Sequence, residues 1–231
     1  MKIPEIKIIY EDNHLLVVEK PVNISSQEDE TGDPDMLTIL KEDLRRRYNK
    51  PGNIFLGLVH RLDRPVGGVM IFAKTSKAAS RLSEQVRLRE FKKTYYAVLH
   101  GSLAKSKGRL HDYLLKDSRT NIVKVVSMTL DGAKEALLDY EVLKSVDHLS
   151  FLKVQLHTGR SHQIRVQFSN CGHPLFGDQK YGAQVNKPGQ QIALWSAEII
   201  LQHPTQKEEM TFRSDPPQTL PWNLFQGADF K

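Results

Sequence analysis

The chain has one cysteine in 231 residues, Cys171. An internal disulfide and a cysteine-based zinc site are therefore excluded, and a reducing compartment is the simplest setting. No stretch approaches the ~20 apolar residues needed to span a bilayer. The opening M-K-I-P-E-I-K-I-I-Y-E-D lacks the apolar centre of a secretion signal. A soluble cytoplasmic protein with no membrane partner is expected. The sequence also lacks a P-loop, a G-x-G-x-x-G fingerprint, a G-x-S-x-G elbow and a metal-binding set of His and Cys, so nothing in it asks for a bound nucleotide, a metal or a serine nucleophile. No repeat, low-complexity tract or dividing linker appears, so a single domain over residues 1–231, with two lobes, is expected.

What is present is ordinary in bulk. Hydrophobic residues make up 39% of the chain, enough for a sizeable core. Lys and Arg total 33 against 27 Asp and Glu, a formal charge of +6, which suits a polyanionic partner without specifying one.

The most informative stretch is residues 60–68, H-R-L-D-R-P-V-G-G. It sets one carboxylate, Asp63, between Arg61 and Arg64, where Pro65, Gly67 and Gly68 prevent an ordinary helix. Taken alone, such a pattern is a weak surface ion pair in a loop. Its position argues for more. The apolar runs 54–59 and 69–73 flank it as two expected core strands, and charge between core strands is costly unless it has a task. Guanidiniums do not lose their charge, so Asp63 beside them stays ionised and available as a nucleophile.

Along the chain, residues 6–10 and 15–18 read as a hairpin turning at Glu11 to His14. Residues 25–35 hold five acidic side chains with Gly32 and Pro34 and read as a mobile loop. Leu37, Leu40 and Leu44 give residues 36–48 a helical stripe that closes on Arg45, Arg46 and Arg47. Thr75 is placed to cap a basic helix running to about Arg89, with Arg81 and Arg87 on it and Lys92 and Lys93 just beyond. Residues 94–99 form a strand that puts Tyr95 and Tyr96 on opposite faces. Short strands are expected at 110–115 and 122–127, a long hairpin at 136–143 and 149–156, and a further strand at 192–201. Between the last two, Ser161 is placed to cap a helix ending near Cys171, on which His162 and Arg165 share one face and Ile164 and Phe168 another. The tail after Pro216 is expected to lie across the surface.

Three motifs, H-R-L-D-R at 60–64, K-K-T-Y-Y-A at 92–97 and H-T-G-R-S-H-Q-I-R at 157–165, resemble in order and spacing the RluA family of RNA pseudouridine synthases. The resemblance runs from about Ile8 to about Leu201. It departs at Val66 and Gly67, where the family usually carries Thr and Ser hydroxyls. Together with many short strands and few helices, it implies an α+β pseudouridine synthase fold, a mixed, mainly antiparallel bent sheet with a central cleft between two lobes. Many relatives carry an extra N-terminal S4 domain, and here the first expected strand starts within ten residues of Met1, so a member without S4 is expected.

The implied reaction breaks the N1–C1′ bond of a uridine in tRNA or ribosomal RNA, turns the base and joins C5 to C1′. Nothing is gained or lost overall, so no cofactor and no metal are expected. Asp63 is the implied catalytic carboxylate, attacking the sugar or abstracting a proton. Tyr95 is the platform for the extracted base and a catalytic residue that can assist proton removal at C5, and Arg165 is the partner that keeps Asp63 ionised. Arg61 suits the gap left by the base, and Arg160 a phosphate. Arg64, His60 and Lys93 complete the expected RNA-binding set. His60 and His162 are read as loop supports rather than hydrolytic bases, and Lys180 and Tyr181 as support beside the site. A monomer is expected. Two other classes stay open: an RNA-binding or chaperone module of the same fold without turnover, and a glycosidase, which would need a second carboxylate near Asp63 that no motif supplies.

Overall fold

The computed structural model describes residues 5–49, 51–225 and 227. In chain order its elements are β1 (Lys7–Glu11), β2 (Leu15–Lys20), α1 (Met36–Tyr48), β3 (Gly57–Leu58), β4 (Gly67–Ala73), α2 (Ser76–Arg87) and β5 (Lys92–His100). Then follow β6 (Lys107–Asp117), β7 (Ile122–Val126), β8 (Lys134–Val146), β9 (Leu149–Leu156), α3 (Gln163–Asn170), β10 (Leu194–Gln202), β11 (Glu209–Arg213) and a short 3-10 turn at Trp222–Phe225. This is the expected α+β class, and every strand register described is antiparallel. The chain divides into two compact units. One comprises Met1–Lys92 with Ser196–Ser214, and the other Lys93–Trp195 with Asp215–Lys231.

In the first unit the strands run β1-β2-β4-β10, with β11 pairing β10 and β3 pairing β4. The β1–β2 hairpin turns on Asp12, whose Oδ1 accepts from the N–H of His14 and of Leu15, each at 2.7 Å. Leu15 to Val18 and all of β4 are fully buried, so these strands read as continuous apolar runs rather than alternating ones. One face gathers Leu15, Val17, Val69, Ile71, Ile199 and Leu201 against Ala78 and Leu82 of α2. α2 starts where expected, Thr75 accepting from the Ala78 N–H, but it ends at Arg87 rather than Arg89, which turns to φ +62°.

α1 has the expected bounds, with Asp35 accepting from the N–H of Leu37 and Thr38, and Asn49 closing it in the left-handed region. Its buried stripe is Met36, Ile39, Leu40 and Leu44, so Leu37 lies off the core face. Arg45, Arg46 and Arg47 pair with Glu42, Asp43 and Glu11. The run at 54–59 is not a full strand. Only Gly57 and Leu58 pair, with Ala73 and Phe72.

The second unit orders its strands β5-β9-β8-β6-β7. The long hairpin of β8 and β9 carries a bulge between Val142 and Lys144, which its alternation does not signal. α3 lays Val166 against Leu114, Val123 and Ala136. The C-terminal tail, expected on the surface, turns inward at Trp222–Phe225, and its residues 226 and 228–231 lie outside the described residues. Trp222 and Phe225 are buried, and both rings rest on Phe151, at 6.2 and 5.3 Å between centroids. Large aromatic rings gain by such burial what they would forgo on the surface.

Gly68 shows how tightly the first unit closes. Its φ is +112°, and a Cβ there would lie 2.2 Å from the Ser196 carbonyl oxygen. Gly68→Ala is therefore expected to destabilise the fold by about 2–4 kcal/mol. Equilibrium urea unfolding checks this, and an unchanged midpoint would contradict the packing described.

Candidate active site

Residues 59–66 link β3 to β4 in the first unit. Leu62 and Val66 are buried and peg the segment on either side of Asp63, which is half-buried, while Arg61 is exposed. The Val66 N–H donates to the Asp63 carbonyl at 2.9 Å and closes a tight turn. Val66 and Gly67, which stand where the family usually has hydroxyls, are both buried.

Two polar side chains from earlier in the chain fasten this turn. Ser26 Oγ accepts from the Leu62 N–H at 3.1 Å and donates to the Leu62 carbonyl at 2.7 Å. Lys20, with 0% of its surface exposed, donates from Nζ to the carbonyls of Pro21 at 2.9 Å, Arg64 at 3.1 Å and Val66 at 2.8 Å. Burial pulls the Lys20 ammonium down to about 7, with the Asp63 charge acting against that fall and Arg64 adding to it. His60 accepts the Ile71 N–H at 2.9 Å and packs on Phe91, as a loop support does.

Arg64 is committed to the acidic segment. It donates to the Asn23 carbonyl at 3.3 Å and to Thr31 Oγ1 at 2.8 Å, bonds Asp33, and lies 3.5 Å from Asp29. The segment at 25–35, read from its composition as mobile, is thus tied down. Its acidic residues answer a cation far along the chain, and its two serines, Ser25 and Ser26, are buried.

The other sequence-derived residues belong to the second unit. Tyr95 is buried on β5 opposite Val154, and Tyr96 packs on Phe151 with ring centroids 5.2 Å apart. The H-T-G-R-S-H turn is closed by Gln163. Its Oε1 accepts from Thr158 Oγ1 at 2.8 Å and from the Arg160 N–H at 3.1 Å. Arg160 donates from Nε to the Glu135 carbonyl at 2.7 Å. The Lys93 ammonium sits against Gly159, where a Cβ would approach it to 3.2 Å, and burial pulls its pKa down. Ser161 does not cap α3. The cap position is His162, left-handed at φ +53° and making no side-chain cap bond. Its Nδ1 instead meets the Tyr181 hydroxyl at 2.7 Å, which also accepts from the Val123 N–H at 2.9 Å.

Arg165 is buried, as is every other residue of α3 from Gln163 to Phe168. Its Nε and Nη2 bond both oxygens of Asp178 at 2.8 Å, and its guanidinium lies 5.2 Å from the Tyr181 ring centre. Asp178 Oδ1 also accepts from the N–H of Lys180 and of Tyr181. Burial pushes the Asp178 carboxyl up, but Arg165 and these N–H groups outweigh it and hold it below its ordinary range. Lys20, Ser26 and Asp178 escaped the sequence reading. Lys20 ends a strand just before a proline, like many solvated lysines, and Asp178 stands two residues before Lys180 in F-G-D-Q-K-Y-G.

The fold has a solved counterpart. RNA pseudouridylate synthase domain containing 4 of human, a solved structure, superposes with a TM-score of 0.77 at 23% identity, covering 92% of this chain and 89% of that one. Sequence then gives the family. Residues 14–170 match the family described as RNA pseudouridylate synthase. The uncharacterized RNA pseudouridine synthase YhcT of Bacillus subtilis is 33% identical over 88% of this chain and 66% of its own length. Ribosomal large subunit pseudouridine synthase C of Buchnera aphidicola is 36% identical over 76% of this chain and 54% of its own length. The chain belongs to the RNA pseudouridylate synthase family, a family of RNA-modifying isomerases.

Asp178→Asn removes the charged partner of a buried guanidinium and is expected to cost about 3–5 kcal/mol at pH 7. A depressed carboxyl contributes stability above its unfolded pKa and loses it as pH falls through the folded value, so the deficit shrinks as acid is added. Urea unfolding at pH 7, 5 and 3 checks both statements. A variant as stable as wild type at pH 7 contradicts them.

Proposed function

We propose that this protein isomerises a particular uridine of ribosomal RNA or tRNA to pseudouridine, with Asp63 as the catalytic carboxylate. The observation that carries the reading is Asp63 itself, half-buried in a turn pinned by Lys20 and Ser26, in a chain of this family. A carboxylate held in a fixed backbone attacks, or removes a proton, from a set direction, and little ordering remains to be done at the moment of reaction. A ribosomal substrate is supported by the name of the Buchnera relative.

In the reaction the N1–C1′ bond breaks, the base stays bound and turns, C5 bonds to C1′, and the proton on C5 leaves as N1 gains one. Atoms and electrons balance without a further reactant. The target must first leave its stack at a cost of a few kcal/mol, which stacking on an aromatic ring and contacts to the backbone offset. Tyr95 is proposed for the stacking, Arg165 as a further catalytic residue, and exposed Arg61 as the side chain that replaces the extracted base. Arg160, Lys93, Arg64 and His60 are proposed to serve RNA binding, His60 through the loop it supports. Membership of the RluA branch, action as one cytoplasmic catalytic domain of two lobes, and a monomeric state belong to the same reading.

Release of tritium from RNA labelled at uridine C5 tests it. Wild type is expected to release label, and Asp63→Asn to release at least 1,000-fold less while binding RNA within three-fold of wild type. Binding without release by the wild type would favour an RNA-binding module. Release by the Asn variant would remove Asp63 from the chemistry.

A further inference from the structure

The proposed reaction brings RNA phosphates to the turn that carries Asp63, yet the chain sets a run of negative charge beside that turn. Between Gln27 and Pro34 stand Glu28, Asp29, Glu30 and Asp33, with no Lys or Arg among them. Both ends of this run are fastened. Ser26 is tied to the Leu62 backbone, and buried Asp35 caps α1 through the N–H of Leu37 and Thr38. The middle lies outside every strand and helix, and residues 27–32 are exposed. What the middle grips is Arg64, the residue after Asp63.

That grip is made of acceptors only. The Arg64 guanidinium meets the Asn23 carbonyl at 3.3 Å, Thr31 Oγ1 at 2.8 Å and a carboxylate oxygen of Asp33, with Asp29 3.5 Å away. Hydrogen bonds from Ser25 and then Thr31 hold the Asp29 carboxyl down to about 2, so its charge persists. Carboxylate and hydroxyl oxygens around one guanidinium are the kind of acceptors that an RNA phosphate would offer it. The grip also opens at little cost. The side chains of Arg64, Asp29 and Asp33 keep 35%, 37% and 42% of their surface exposed, and ion pairs so wet are weak. Among the described residues, the Asp33 carboxylate bonds to Arg64 alone.

We infer that the segment at 27–33 is an internal stand-in for RNA phosphate, occupying Arg64 in the RNA-free protein until a phosphate of the bound RNA takes its place. This rests on the RNA-binding part proposed above for Arg64. Each RNA that reaches the turn gives up the Arg64–Asp33 contact to gain its own. Its apparent affinity is reduced by the fraction of chains in which Arg64 is held. RNA that offers phosphates alone is then held weakly, and selectivity passes to contacts that only the target uridine makes.

A binding cycle tests the inference, with a single-stranded oligouridine of about 20 nucleotides as probe, at about 0.15 M salt, where charges beyond ~8 Å are largely screened. Asp33→Asn removes the charge and keeps the shape. In the otherwise wild-type chain it is expected to tighten binding at least three-fold. In an Arg64→Ala chain the same change is expected to alter binding by less than 1.5-fold, because no guanidinium is left to release. A gain below three-fold in the wild-type chain overturns the inference. So does a gain above 1.5-fold in the Arg64→Ala chain, which general repulsion of phosphate by Asp33 would give. If Arg64→Ala does not fold, Arg64→Gln is judged by the same thresholds. Tritium release by the wild type is followed alongside. A cycle that runs as expected without release of label sinks the proposed chemistry and leaves the inference standing. If neither the wild type nor Asp33→Asn binds the probe, the inference fails, whatever label is released from ribosomal RNA.

Discussion

A turn that carries a carboxylate between the two-residue β3 and the buried β4 has backbone groups that no sheet can pair, and the first unit depends on how they are met. Leu62 bonds Ser26 through both its N–H and its carbonyl, and the carbonyls of Arg64 and Val66 bond Lys20. The flanking side chains, Leu62 and Val66, are driven inward by their apolar surface. Apolar pegs alone would leave polar backbone buried and unmet, and polar partners alone would not bring the turn inward. The two together leave Asp63 at the surface of a backbone with little freedom.

The second unit solves a similar problem around α3. Eight residues make a short helix, and six in succession, Gln163 to Phe168, are buried. Among them Arg165 can be buried because Asp178 meets it with two oxygens and because Asp178 is itself fixed by two N–H groups. Buried ion pairs seldom add much net stability, since desolvation offsets the attraction. Their value is in fixing one geometry for a guanidinium that could otherwise sample many. Gln163 does the same for the H-T-G-R turn, where one amide oxygen gathers Thr158 and Arg160.

How much of this was legible in the sequence follows from the range of each interaction. α1, the first hairpin and the Thr75 cap are local, written in spacing and in capping residues, and were read nearly to the residue. The charged turn was legible as a place because its charges stand between two apolar runs. Its support was not, because Lys20 and Ser26 lie about forty positions before the carbonyls they meet. The segment at 25–35 looked mobile for the same reason, its anchoring cation being Arg64. Ser161 looked like a cap by type, but the turn is closed by Gln163 and passes through a left-handed His162. Trp222 and Phe225 were misplaced because a Pro-rich tail gives no periodicity from which burial can be read.

The proposed function assigns the carboxylate of this turn to one chemical step, the isomerisation of a uridine. The most direct measurement is a pseudouridine map of total cellular RNA with and without this protein. The account predicts that one or a few positions lose the modification and regain it when the wild-type chain is returned. A map unchanged by its removal contradicts the account.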